Sequence, residues 1–181
     1  MAKENKTSFD IQELNKMYSL ISHNTNEWRD KFLVEKMDPL AKIPVKGSKG
    51  AAGYDIYSFT SFKIPAKNST IIDTKIKVKF PDGIYGRITS RSGHAFKYDL
   101  QVHPGTIDND YTGEIKIKIF NHSSEDYISE QNGERICQLI LEKFYDIPIT
   151  EVTQNIDGSS GIETLVKTER GNKGFGSSGV Q

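Results

Sequence analysis

Five clusters of polar residues interrupt this chain where strands would end and turns begin. Asp55 lies in Ala52-Gly53-Tyr54-Asp55-Ile56-Tyr57-Ser58. Arg91-Ser92-Gly93 follows a β-rich stretch. Asp108 and Asp110 lie in Gly105-Thr106-Ile107-Asp108-Asn109-Asp110-Tyr111-Thr112-Gly113. Arg135 and Gln138 lie in Gly133-Glu134-Arg135-Ile136-Cys137-Gln138, and Arg170 opens a Gly-rich tail. Arg, Ser, Gln and Gly donors suit a polyphosphate, while carboxylates suit Mg²⁺ or serve as a general base. Singly, each cluster is a weak signal. Asp-x-Asp-Tyr is commonly a turn, and an isolated Arg is commonly a solvated charge.

Other chemistries fit poorly. Gly174-Phe175-Gly176-Ser177-Ser178-Gly179 matches a dinucleotide fingerprint, but that fingerprint needs a following helix and only two residues remain. No G-x-x-x-x-G-K-[ST] phosphate loop occurs. Ser92 lacks the G-x-S-x-G elbow of many serine hydrolases. The four histidines, His23, His94, His103 and His122, show no metal-ligand spacing and read as surface or structural residues.

The elements that must position these clusters change character along the chain. Residues 1–37 hold no Gly or Pro, and Phe9, Leu14, Met17, Tyr18, Ile21, Trp28 and Phe32 recur at helical spacings, with Thr7 or Ser8 as a cap. They predict a short helical N-terminal extension, packed on the domain or serving a protein partner. From Pro39 onward, turn residues punctuate β-branched and aromatic runs. Ile71–Phe80 and Glu114–Phe120 alternate as half-buried strands, and Tyr85–Thr89 and Ile136–Leu141 predict two more. Pro81-Asp82-Gly83 reads as a hairpin-closing turn. The pattern is all-β, a sandwich or barrel. Residues 155–168 begin as a flexible loop. The tail has too little apolar content to fold by itself. It is either disordered or an anion clamp that orders on a ligand, since bare Gly N–H groups can cradle phosphate.

Composition narrows the class. The chain has 181 residues, enough for one core with additions, and 35% of them are hydrophobic, below the globular average. That shortfall suits long polar segments, a small core or burial shared between subunits. Its 24 basic and 24 acidic residues cancel, which argues against stable nucleic-acid binding. The single cysteine, Cys137, excludes an intrachain disulfide and suits a reducing compartment. No apolar run reaches the ~20 residues of a membrane span, and the polar start is unlike a signal peptide. A soluble, cytoplasmic location is the expectation.

In order, the five clusters read AAGYDIYS, TSRSGHAF, HPGTIDNDYTGEIKI, GERICQLI and RGNKGFGSSG, and they closely resemble the five motifs of the trimeric dUTPase family. The resemblance covers roughly residues 38–179. It implies a β-barrel-like jelly roll at 38–169, carrying an insertion at 155–168 and a flexible Gly-rich arm at 170–181. It implies hydrolysis of dUTP to dUMP and pyrophosphate, which keeps uracil out of DNA and supplies dUMP for dTMP synthesis. Asp108 matches the carboxylate that deprotonates the water attacking the α-phosphorus. Tyr111 matches the ring under the deoxyribose, which excludes a 2′-hydroxyl. The hairpin from Gly105 through Thr106 and Ile107 to Lys116 matches the segment that holds uracil by backbone groups and rejects thymine. Arg91, Ser92, Gly93 and Gln138 match phosphate contacts. Arg170 matches the arginine of the terminal phosphates, Phe175 the ring stacking on uracil, and Gly176, Ser177 and Ser178 the arm's phosphate-binding part. Asp55 matches an aspartate supporting the Mg²⁺ cofactor through water, and Asp110 a structural carboxylate. The resemblance further implies a homotrimer with shared active sites, each covered by the arm of a neighbour.

Ser90 stands where the second motif usually has Pro. His103-Pro104 replaces smaller residues ahead of the uracil segment, where it could reshape the hairpin. Two rival readings stay open. A dCTP deaminase of the same fold would need a different base-contacting set. A nucleotide-gated regulator would use the extension and insertion to bind a partner protein, with catalysis secondary.

Overall fold

The computed structural model describes residues 29–153, 161–165 and 168. The chain divides into two compact units, Met1–Tyr145 and Asp146–Gln181. The first carries the strands β1 (Leu33–Lys36), β2 (Val45–Lys46), β3 (Gly53–Tyr57), β4 (Phe62–Ile64), β5 (Ser69–Asp73), β6 (Ile76–Lys79), β7 (Ile84–Ser90), β8 (Leu100–Val102), β9 (Gly105–Ile107), β10 (Lys116–Asn121), β11 (Tyr127–Ser129) and β12 (Arg135–Lys143). A helix, α1 (Ser92–Tyr98), joins β7 to β8. The largest sheet runs β2-β3-β12-β7-β9, a second runs β5-β10-β8, and β1-β6 and β11-β4 form two-stranded ladders. Every ladder is antiparallel. This all-β arrangement fits the jelly-roll expectation broadly.

Period-two burial builds the core. Ile117 and Ile119 of β10 are buried while Lys116 and Lys118 are exposed, and Ile76 and Val78 of β6 alternate likewise with half-buried lysines. They meet Phe80, Ile56, Ile136 and Leu139, all within 1% of full burial. Gly86 of β7 lets Phe80 lie against the sheet. A Cβ there would come within 2.7 Å of Leu139 Cδ1 and would also overlap the Phe80 ring.

Three local expectations change. The run Ile71–Phe80 is two strands, because Lys75 takes a left-handed conformation (φ 54°) that ends β5 and turns the chain into β6. Pro81-Asp82-Gly83 does turn, with Gly83 at φ 72° and Ile84 N–H donating to Pro81 O. It joins two sheets, however, since β6 pairs with β1 while β7 pairs with β12 and β9. The helical reading of 1–37 lies outside the described residues as far as residue 28. Within it, Leu33–Lys36 is a strand, β1, because Phe32 and Val34 pack on the sheet core beside β6.

Among the described residues of the second unit, Gly161–Leu165 form one short helix, α2. The flexible-loop reading of 155–168 therefore holds a helical turn, favoured by a stretch without Pro and with Ile162 and Leu165 three apart.

Candidate active site

Residues of the third cluster, with Ile88, surround a cleft of about 230 Å³. Its walls are Ile88, Gly105, Thr106, Ile107, Asp108, Tyr111, Glu114, Ile115 and Lys116. The cleft exists because a ladder opens. β8 pairs with β10, and the pairing extends to His103 N–H donating to Lys118 O at 2.9 Å. In that register Gly105 would next face Lys116. Pro104 has no N–H to continue the ladder, and β9 pairs with β7 instead. The sequence expectation of a hairpin from Gly105 to Lys116 is thus corrected: the two strands belong to different sheets, with the cleft between them. β9 is an edge strand, so its outer backbone groups are free to read the edge of a planar ligand. His103-Pro104 also lines an adjoining cavity of about 100 Å³, and His103 Nε2 is buried there with no partner among the described residues.

The turn after β9 holds Asp108 at the cleft mouth. Tyr111 N–H donates to Asp108 O at 3.2 Å, and the Tyr111 hydroxyl donates to Glu114 O at 3.0 Å. A side chain at Gly113 would strike the Tyr111 ring, with a Cβ 2.5 Å from its Cζ. Asn109 clamps the turn. Its Nδ2 donates to Pro81 O and Ile84 O, both at 2.7 Å, and its Oδ1 accepts from Lys79 Nζ at 2.8 Å. Asp108 itself is exposed, and among the described residues nothing bonds its carboxylate. The far wall is braced by charge. Glu114 accepts Lys75 N–H at 3.0 Å and Lys75 Nζ at 3.2 Å, and Asp73 accepts Lys116 Nζ at 2.7 Å. Hydrogen bonds from Lys116 and then Lys75 hold the Asp73 carboxyl below the usual range, and Asp73 in turn raises the Lys116 ammonium. Lys116 is therefore engaged in an ion pair at the cleft edge.

The phosphate candidates form a second cluster. Asp55, 3% exposed on β3, faces Gln138 of β12 in register. Its Oδ1 accepts from Arg91 Nε at 3.2 Å and Gln138 Nε2 at 3.4 Å, and its Oδ2 from Arg135 Nη1 at 3.4 Å. Arg91 Nη1 also donates to Arg135 O at 3.1 Å. A buried carboxylate needs such partners, so Asp55 anchors the two guanidiniums. Ser92 and Gly93 are exposed in the first turn of α1.

These two clusters are apart in one chain. The β7–β9 register sets Asp108 level with Tyr85, and Arg91 lies six residues farther along an extended backbone, or ~20 Å. Arg170, Phe175, Gly176, Ser177 and Ser178 lie outside the described residues. Sequence reasoning missed the Asn109 clamp and the Glu114 brace, which look like ordinary turn and surface residues until Pro81, Ile84 and Lys75 are brought to them. It also missed α1. Its one advance signal was a stretch free of Gly and Pro from His94 to Leu100.

An all-β scaffold with a backbone-lined cleft and a separate Arg-rich cluster defines a small-molecule binding protein suited to an anionic nucleotide. Residues 40–179 match the dUTPase family model. The chain is 43% identical over 141 residues to the deoxyuridine 5′-triphosphate nucleotidohydrolase of Candida albicans, covering 78% of this chain and 83% of that protein. A mutant of the Staphylococcus bacteriophage 80alpha dUTPase, solved with dUpNHpp, superposes with a TM-score of 0.71 at 28% identity, over 83% of this chain and 99% of its own. A mutant dUTPase from phage phi11 of S. aureus, described as coordinating a structural Mg(II) ion, gives 0.61 at 25% identity, over 68% and 97%. The chain belongs to the dUTPase family and is an enzyme of that kind. Among the described residues no helix is long and apolar enough to cross a membrane.

Proposed function

We propose that the protein hydrolyses dUTP to dUMP and pyrophosphate, limiting uracil in DNA and supplying dUMP for dTMP synthesis. The observation that carries this reading is the opened β9–β10 cleft, with an edge-strand backbone to read uracil and, at its mouth, a carboxylate with no partner among the described residues. Uracil pairs with the backbone of Gly105 to Ile107, and thymine is rejected through its 5-methyl group. The Tyr111 ring packs under deoxyribose and excludes a 2′-hydroxyl. Asp108 takes a proton from the water that attacks the α-phosphorus, a role typically contributing ~10²–10⁴ in rate.

An in-line attack needs base, water and phosphorus within about one hydrogen bond of each other. The ~20 Å between Asp108 and Arg91 along the sheet argues against that inside one chain. This separation supports a composite site. One copy supplies the cleft and Asp108, a second supplies Arg91, Ser92, Gly93 and Gln138, and the arm from Arg170 to Ser178 closes over both. A homotrimer satisfies this, and exposed apolar side chains such as Leu40, Ile71 and Phe96 give it surface to bury.

The donor set fits a Mg²⁺ ion carried on the substrate's phosphates. The described residues offer no cluster of three acidic, His or Cys ligands. Asp55 is buried and already accepts three hydrogen bonds, leaving about one lone-pair site for a metal-bound water. When bound, the ion would offset the charge of the phosphates, and Asp55 would hold it through a metal-bound water.

The test is pyrophosphate release from dUTP with Mg²⁺, beside dTTP, dCTP and UTP, for the wild-type protein and Asp108→Asn. Release from dUTP alone, lost by ~10²–10⁴ in Asp108→Asn with binding kept, is the expected result. Release from dCTP, or none from dUTP, would refute the reading.

A further inference from the structure

α1 is seven residues long and weakly held by itself. Its N-cap, Arg91, makes no side-chain capping bond, and its first turn carries no acidic residue. A helix this short depends on what it packs against. His94 is its buried residue, at 8% exposure. His94 Nε2 lies 2.9 Å from Glu134 Oε1, and the Tyr127 hydroxyl donates to the same oxygen at 2.5 Å. With two groups on one carboxylate oxygen, Nε2 must carry its hydrogen. Burial, and then the bond to Glu134, push the Tyr127 phenol up, so it stays a donor. The Tyr98 and Tyr127 rings flank the imidazole at 6.2 and 5.8 Å.

Glu134 is itself fixed. Its N–H donates to Ser58 Oγ at 3.1 Å, and its carbonyl accepts Ser58 N–H at 2.8 Å. The next residue, Arg135, opens β12, meets Asp55 and accepts from Arg91. The start of α1 is thus tied to one strand end at two points, through Arg91 and through His94. Ser92 and Gly93 lie between the ties.

We infer that His94 is a positioning residue, which with Glu134 and Tyr127 orients the Arg91-Ser92-Gly93 corner toward the substrate's β- and γ-phosphates. This rests on the proposed function, in which that corner binds phosphate. His94 touches no substrate. A leucine in its place fills the space but removes the directional tie, leaving the corner free to pivot. A glutamine keeps an N–H donor near the Nε2 position.

The experiment measures affinity for α,β-imido-dUTP and for dUMP, with Mg²⁺, in the wild-type protein, His94→Leu and His94→Gln. His94→Leu should lose about tenfold for the triphosphate analogue, the scale of one hydrogen bond, with a much smaller loss for dUMP. His94→Gln should recover most of that loss. Equal losses for both ligands, unchanged affinity in His94→Leu, or no recovery in His94→Gln would each overturn the inference. Should His94→Leu not fold, Tyr127→Phe replaces it, keeping the ring and removing one donor. A smaller loss confined to the triphosphate supports the role, and an unselective or absent loss overturns it. Wild-type protein that hydrolyses no dUTP would refute the underlying reading as well, whereas normal wild-type turnover beside an unaffected His94→Leu refutes only the positioning role.

Discussion

Two inactive variants should restore each other if the ~20 Å between Asp108 and the α1 corner means that two chains share one site. Asp108→Asn removes the base, at a cost of ~10²–10⁴ in turnover. Ser92→Glu disables the other half with little risk to the fold. Ser92 is exposed in the first turn of α1, where a carboxylate favours the helix end by about 0.3–1 kcal/mol. The same carboxylate about 4 Å from a phosphate costs about 4 kcal/mol at an effective dielectric near 20, or ~10³ in affinity. Each variant alone is then nearly silent. Co-expressed in equal amounts and purified without selecting by composition, they form mixed assemblies at random. A site is intact when an Asp108-bearing chain meets a Ser92-bearing neighbour, and random pairing gives about a quarter of the sites. Pyrophosphate release should therefore return to about a quarter of wild-type activity in unselected mixtures. A mixture as silent as its parents would refute the reasoning, because a site confined to one chain is broken in every chain present.

Further expectations follow from the packing and the charges. Gly86→Ala forces a Cβ to within 2.7 Å of Leu139 Cδ1 and into the Phe80 ring, and should cost about 1–3 kcal/mol, read from urea unfolding. A midpoint equal to wild type would contradict the close approach. The lowered Asp73 carboxyl favours the folded state above its unfolded pKa of about 3.9, and that stability is lost as pH falls through the lower folded value. Asp73→Asn should thus flatten the fall in Tm below about pH 4, modestly, because the pair is solvent-screened. An unaltered acid profile would remove Asp73 from the account. A chain ending at Glu169 should keep its fold and assembly but lose most turnover, and full activity would exclude the arm as a clamp.

Order and chemistry were readable from the sequence alone. The five clusters stand in sequence because each residue type carries its own chemistry wherever the chain puts it. The alternation around Ile117 and Ile119 set the faces of β10, since a strand's period of two follows from backbone geometry. Other features depended on pairing partners distant in the chain. Whether Gly105–Ile107 would pair with β10 or with β7 was decided by competition between ladders, with Pro104 removing one donor. Asp55 became the anchor of Arg91 and Arg135 only when β3 and β12 aligned. Asn109, Glu114 and His94 acquired roles through two carbonyls, the Lys75 N–H and the Glu134 carboxylate, each brought close from a distant part of the chain. Local propensity acts on neighbours along the chain, whereas burial and hydrogen-bond satisfaction act on neighbours in space, and it was the second kind of neighbour that separated the cleft beside β9 from the Arg-rich cluster around Asp55.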